Sequence, residues 1–271
     1  MTRPLNDNAG TQLSAPVPVP KELLLQGRTA VVTGAGRGLG RAAAVALAEA
    51  GAQVVLLGRT AEPLSQTAAA IVAVGGRARS IVTDVTDEQQ VSAAAAQVAS
   101  ELGGADILVN NAGGALVSPF LQTDTAAIQQ LFQLNVIGAM LCTRAFGAHM
   151  VQKCRGRVIN IASVAALTGE TNTSIYAASK GALISFSRTL AVEWARYGVT
   201  VNALAPGYFR TDLNAQALDN PEVADRLLKK IPMRRVGQPD ELGPLLVYLA
   251  SDASAFMTGS VLVIDGGQVA R

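Results

Sequence analysis

The sequence predicts a single α/β domain: a doubly wound, seven-stranded parallel sheet flanked by helices. Three observations carry this. Short β-branched apolar runs alternate with helical patterns along nearly the whole chain. The first such run passes directly into a glycine-rich turn and then a helix. The chain has 271 residues, 49% of them apolar and only 15% charged, which suits tightly packed layers around one core.

The elements follow in order. Arg28 to Thr33 reads as a buried parallel strand, and Gly34-Ala35-Gly36-Arg37-Gly38-Leu39-Gly40 follows at once. Arg41 to Ala50 is a run of strong helix formers stopped by Gly51, and Ala52 to Leu57 is the second strand. Pro63 to Val74 is helical in pattern, ending at Gly75-Gly76. Arg79 to Thr83 is a third strand, followed by Asp84-Val85. Asp87 to Leu102 is an alanine-rich helix, and Asp106 to Val109 is a strand that runs into Asn110-Asn111-Ala112-Gly113. Thr125 to Met150 holds a long helical pattern with Asn135 near its middle. Arg157 to Ile161 is the fifth strand, with Ser163 just past its end. Ser174 to Tyr197 is a second long helix, and Val199 to Ala203 is a strand leading to Pro206-Gly207. Thr211 to Lys230 is polar and mixed, helical in part. Pro239 to Ala250 is helical, and Ser260 to Ile264 is the seventh strand.

Composition narrows the function. A formal net charge of +2 is too small to argue for nucleic acid or an acidic membrane surface. Cys142 and Cys154 are the only cysteines, with no metal-ligand spacing, so they read as free thiols and no metal site is expected. His149 is the only histidine and lies late in a helical pattern without a catalytic signature, so it reads as a structural or surface residue. Met1 to Pro20 carries Pro4, Pro16, Pro18 and Pro20 and no apolar signal-peptide core, so it reads as a mobile polar arm. The longest apolar stretches are interrupted by Glu49, Gly51 and Gly58; no transmembrane helix is expected, and a cytoplasmic location follows.

The glycine turn has a mechanism. Its glycines permit a tight bend and let the backbone approach a pyrophosphate, which then lies at the positive end of the next helix. Dinucleotide binding is therefore the stronger reading, with a methyltransferase as the rival at this point; a Walker loop would need a Gly-Lys-Ser/Thr ending that is missing. An acidic residue at the end of the second strand would hold the ribose 2′-hydroxyl of NAD. Here Gly58 stands, with Arg59 next and Arg37 in the glycine turn, a pairing suited to a 2′-phosphate and hence NADP. The alternative is that Arg59 is a solvated loop charge.

In Ser174-Ile175-Tyr176-Ala177-Ala178-Ser179-Lys180, a phenol and an ammonium stand four residues apart, one turn apart on a helix face. Such a cation favours phenolate and would lower the tyrosine pKa. The motifs fall at the carboxyl ends of predicted strands, where doubly wound sheets bind ligands.

In the motifs Thr33-Gly34-Ala35-Gly36-Arg37-Gly38-Leu39-Gly40, Asn110-Asn111-Ala112-Gly113, Tyr176 to Lys180 and Pro206-Gly207, in this order, the chain resembles the short-chain dehydrogenase/reductase family over residues 20 to 268. The resemblance implies a Rossmann domain over residues 21 to 271 that contains the substrate pocket and assembles as a homotetramer through the long helices and the last strand. It implies Tyr176 as general acid/base, Lys180 as the residue that lowers its pKa and holds the nicotinamide ribose, Ser163 as hydrogen-bonding partner of the reacting oxygen, and Asn135 as anchor of a relay water. For the cofactor it implies Gly34, Arg37, Gly38, Leu39, Gly40 and Arg59 around the phosphates, and Asp84 and Val85 at the adenine. It further implies Asn111, Ala112 and Gly113 along the adenosine side, and Pro206, Gly207, Phe209 and Thr211 around the nicotinamide.

The expected activity is NADP(H)-dependent interconversion of a secondary alcohol and a ketone. The chain is similar to members acting on sugar acids and polyols, such as gluconate 5-dehydrogenases, and to 3-oxoacyl-carrier-protein reductases. A silent dinucleotide-binding sensor is the alternative of another class. The pocket segments expected are Gly114 to Val117, Val164 to Ser174 and Tyr208 to Leu228. The polar run Glu170 to Ser174 either hydrogen-bonds a hydroxylated substrate or is a solvated loop. Arg210 meets either a substrate carboxylate or solvent.

Overall fold

The structure is a computed structural model that describes residues 20–211 and 219–270. The arm expected over residues 1 to 20 falls almost wholly outside the described residues, as does part of the mixed segment 211 to 230.

Seven strands form one parallel sheet. They are β1 (Thr29–Thr33), β2 (Gln53–Gly58), β3 (Arg77–Val82), β4 (Ile107–Asn110), β5 (Gly156–Ile161), β6 (Val199–Pro206) and β7 (Val261–Ile264). Their spatial order is β3-β2-β1-β4-β5-β6-β7. The chain therefore winds outward from β1 in one direction and from β4 in the other. Val31 lies between Val55 of β2 and Leu108 of β4. A sheet that reverses direction between β1 and β4 leaves a crevice beyond the strand ends at that point.

The strands are hydrophobic on both faces because helices cover both. On one face Val32, Val54, Leu56 and Val109 meet α1 (Gly38–Glu49), α2 (Ala61–Ala73) and α8 (Gly243–Ala250) through Ala44, Leu47, Ile71 and Leu246. On the other, Val31, Val55, Leu108 and Val158 meet α3 (Glu88–Leu102), α5 (Gly138–Gln152) and α6 (Ser174–Trp194) through Val98, Phe146, Met150 and Leu190. Each large aliphatic side chain so buried contributes roughly 1.5–3 kcal/mol. Below the sheet, at the end away from the crevice, the buried Arg28 and Arg157 converge on Asp252.

Strand and helix order agree with the sequence, and the differences are local. The first helix begins at Gly38, inside the glycine turn, and not at Arg41. Its N-cap Arg37 supplies no side-chain cap, so the first-turn N–H groups open toward the crevice. The long pattern from Thr125 is two helices, α4 (Thr125–Phe132) and α5, joined by a π-helical turn over Gln133–Ile137. The sixth strand runs three residues further than expected, to Pro206, which sits at its end where a missing N–H does no harm. Within the mixed segment, α7 (Pro221–Leu228) starts at a capping Asn220.

By length and apolarity alone the helical stretch Thr125–Gln152 could cross a membrane, with a mean hydropathy of 1.2. Half of that stretch is buried inside the protein, where Cys142, Phe146 and Met150 belong to the core.

Candidate active site

A cleft of about 750 Å³ opens at the carboxyl ends of β1, β2, β4, β5 and β6. It brings together Gly34, Arg37, Gly38, Leu39, Gly40, Arg59, Asp84, Val85, Asn111, Ala112, Gly113, Ser163, Tyr176, Lys180, Pro206, Gly207 and Thr211. Of the cofactor residues expected from sequence, Phe209 alone is turned away. Its ring is buried in the core against Gly237, and its backbone bridges to that residue.

The glycine turn is compressed for a reason. Gly34 and Gly38 have φ of +64° and +54°, a region side chains resist. A Cβ on Gly40 would lie 2.2 Å from the Gly34 carbonyl oxygen and 2.4 Å from Asn111 Nδ2. Asn111 braces this turn: Nδ2 donates to the carbonyls of Thr33 and Gly34 at 3.0 and 3.2 Å. Thr33 Oγ1 accepts in turn from the N–H groups of Asn111 and Ala112. The turn is thus tied to β4, and the open start of α1 faces the cleft.

The donor set fits a dinucleotide phosphate. First-turn N–H groups of α1 are uncapped by a side chain, and Arg37 and Arg59 are exposed at the cleft with no ion pair among the described residues. Asp84 lies at the same end; its Oδ1 accepts from the N–H and hydroxyl of Thr86 at 2.9 and 2.8 Å, which fixes the carboxylate.

At the other end, Tyr176 and Lys180 occupy the first two turns of α6. Ser163 caps the single turn Val164–Ala166 after β5, its Oγ accepting from Ala165 N–H at 3.1 Å. The same hydroxyl hydrogen-bonds the Tyr176 phenol. Lys180 Nζ donates to the Ile161 carbonyl at 2.8 Å and lies 5.9 Å from the centroid of the Tyr176 ring.

The electrostatics differ from what the motif alone implies. Burial raises the Tyr176 pKa above its ordinary value, and the Ser163 hydrogen bond only partly opposes this. Burial also lowers Lys180, to about 8. The ammonium is itself desolvated, so it is a weaker electrostatic lever on the phenol than an exposed lysine's charge would suggest. Both groups are pushed toward their neutral forms. Their proton affinities, close in water, are thereby spread apart: the phenol holds its proton more tightly than the buried ammonium does.

Asn135 is completely buried in the π-helical turn. Its Oδ1 accepts from Gly114 N–H at 2.8 Å, and its Nδ2 donates to the Gly114 carbonyl and to Ser179 Oγ, each at 3.0 Å. Ser179 donates to the Tyr176 carbonyl. The amide therefore locks the loop after β4 to the first turns of α6. Directly after the π turn, Gly138 packs on Val85, where a Cβ would lie 2.9 Å from Val85 Cγ2.

Of the expected pocket segments, Gly114, Ala115, Val117, Val164, Ala165, Glu170, Thr173 and Tyr208 line the cleft. Arg210 pairs with Asp219 at 2.7 Å. His149 lies elsewhere, against the Gly103 carbonyl. Cys142 is buried, with a thiol pushed up to about 12. Sequence reasoning placed Tyr208 at the start of an expected pocket segment without giving it a role of its own, and it gave Lys230 none. Both reach Glu170.

A family model described as enoyl-(acyl carrier protein) reductase matches residues 34–268. The chain is 38% identical over 243 residues to a gluconate 5-dehydrogenase of Gluconobacter oxydans, covering 90% of this chain and 95% of that one. It is 41% identical over 246 residues to a galactitol 2-dehydrogenase (L-tagatose-forming) of Cereibacter sphaeroides, with 90% and 95% covered. The crystal structure of a gluconate 5-dehydrogenase from Burkholderia cenocepacia in complex with NADP and tartrate superposes with a TM-score of 0.88 at 38% identity, covering 92% of this chain and 98% of that one. With the cleft, the tyrosine–lysine–serine constellation and these likenesses together, the chain belongs to the short-chain dehydrogenase/reductase family of nicotinamide-dependent oxidoreductases.

Proposed function

We propose that this protein is an NADP(H)-dependent dehydrogenase of a polyol or sugar acid, oxidising a secondary alcohol to a ketone and running in reverse. The observation that carries the reading is the contact of Ser163 and Tyr176 at the cleft, with Lys180 one turn further along α6. Gluconate and galactitol dehydrogenases among the relatives support the substrate class, and the NADP-bound neighbour supports the coenzyme. Arg37 and Arg59, with Gly58 where an acidic residue would favour NAD, support NADP over NAD.

The coenzyme would rest its phosphates on the start of α1 and its 2′-phosphate between Arg37 and Arg59. Asp84 and Val85 would meet the adenine, and Lys180 and the Pro206 to Thr211 segment would meet the nicotinamide ribose and ring. When bound, the nicotinamide supplies or accepts the hydride. The chain's own residues do the rest. Ser163 and Tyr176 hold the substrate oxygen. Tyr176 gives it a proton in reduction and takes one in oxidation, and the Ser163 hydrogen bond stabilises the charge that grows there. Asn135 holds the Gly113–Gly114 loop and, with Lys180, would support a water relay that reloads the tyrosine. We place the enzyme in the cytoplasm as a homotetramer.

A spectrophotometric panel at the reduced-nicotinamide band tests this. Purified enzyme is given polyols, sugar acids, cyclic alcohols and a 3-oxoacyl thioester, each with NADP and NAD in the matching redox state. Turnover of a polyol or sugar acid, faster with NADP, is expected. Turnover confined to the thioester, or a preference for NAD, would contradict the corresponding part.

A further inference from the structure

The substrate end of the cleft is walled by Glu170, Thr173 and Tyr208. Their protons are already spoken for. The Tyr208 hydroxyl lies 2.8 and 2.7 Å from the two Glu170 carboxylate oxygens, to which it donates. Thr173 Oγ1 donates to the Glu170 carbonyl at 2.8 Å. Lys230 Nζ reaches Glu170 Oε1 at 2.6 Å but is not part of the cleft wall. Burial, then the hydrogen bond and charge of Glu170, then the neighbouring Tyr176, raise the Tyr208 pKa, so its phenol stays protonated and keeps donating to Glu170. What this wall offers a ligand is lone pairs. A group that settles against them must bring hydrogen-bond donors.

The charge pattern agrees. The cations lining the cleft are Arg37 and Arg59 at the dinucleotide end and Lys180 beside Tyr176; the charged residue of the substrate end is Glu170. Arg210 is paired with Asp219. Residues 212–218 contain no lysine or arginine.

Resting on the dehydrogenase reading above, we propose that Glu170, positioned by Tyr208 and Lys230, is a specificity residue that accepts hydroxyl groups of the substrate and disfavours a carboxylate there. The enzyme's substrates are then neutral polyhydroxylated alcohols and their ketones in preference to sugar acids. A polyol presents an O–H donor to this wall. A sugar-acid carboxylate presents only further acceptors and sets like against like at this half-buried wall.

The test uses matched pairs that differ only in this group: galactitol against galactonate, and threitol against threonate. Each is assayed with whichever coenzyme turns over faster, so the outcome does not depend on the NADP preference. In wild type, kcat/KM is expected to favour the neutral member at least tenfold. Glu170→Gln puts an amide donor on the wall and is expected to shrink that ratio at least fivefold, mainly through KM. Lys230→Met removes the counter-charge from a solvent-facing position and is expected to widen it, which keeps the proposal testable if Glu170→Gln fails to fold. Preference for the carboxylate member in wild type, or a ratio unmoved in both variants, would overturn the proposal and leave the dehydrogenase reading intact. No oxidation of either member of either pair would reject the polyol and sugar-acid reading, and the specificity proposal with it.

Discussion

Lys180 is the residue whose surroundings conflict most with its chemistry. It is buried, held by a single described hydrogen bond to Ile161, and its pKa is lowered to about 8. In the unfolded chain a lysine stays protonated to about pH 10.4. Between about pH 8 and that value the unfolded state binds more protons, so stability rises with pH; below about pH 8 the full cost of the buried charge is present. Lys180→Met should therefore stabilise the coenzyme-free protein at pH 7, by about 1–3 kcal/mol, and the advantage should shrink by pH 10. Urea unfolding at the two pH values reads this directly, and a variant less stable than wild type at pH 7 would contradict it. The same variant should lose most of its dehydrogenase activity, a trade of stability for function. At this scale the sequence was informative where chemistry is local. Tyr176, Lys180 and Ser163 are legible because their types and spacing are required. The direction of the Tyr176 shift was not, because it depends on how deeply α6 sits in the fold. Nor was the Glu170–Tyr208–Lys230 cluster, whose members lie 38 and 60 residues apart and meet only through tertiary structure.

Among the elements, the glycine turn and the π turn do the positioning. Gly40 is packed so closely on Gly34 and Asn111 that a methyl group has nowhere to go without moving backbone. Gly40→Ala should raise the NADPH dissociation constant at least tenfold, or prevent folding. Gly181→Ala, on α6 with nothing within 4 Å of its added Cβ, should fold and gain about 0.5–1 kcal/mol from helix propensity. Fluorescence titration with NADPH and thermal melts of the two variants separate these outcomes, and normal NADPH affinity in Gly40→Ala would contradict the packing account. Helix and strand order was readable from periodicity. The break at Gln133–Ile137 was not, because the residues there are as apolar and as helix-compatible as their neighbours; only the contacts of Asn135 and Gly138 reveal it. Phe209 shows another limit. The resemblance implied a place at the nicotinamide end, and the sequence does not show that its ring packs in the core against Gly237.

For the whole molecule, one topological fact explains why scattered motifs meet. The strand order reverses between β1 and β4, so the glycine turn, the Asn111 loop, Ser163 and Pro206-Gly207 all end on one rim. The same architecture leaves β7 at a sheet edge, with Val263 41% and Phe256 fully exposed, and Val192 on α6 81% exposed. Apolar side chains exposed on the edge strand and on the long helix are what a homotetramer would cover. Sedimentation equilibrium should give a mass four times that of the chain; a monomer across micromolar concentrations would contradict the tetramer.

In the mechanism proposed above, Tyr176 moves the proton of a nicotinamide-linked alcohol oxidation. Its most direct measurement compares wild type with Tyr176→Phe on the best polyol or sugar acid, following reduced nicotinamide at saturating coenzyme. A fall in kcat of about 10²–10⁴ with NADPH binding unchanged is expected. A Tyr176→Phe enzyme that binds NADPH normally and turns over at the wild-type rate would contradict it.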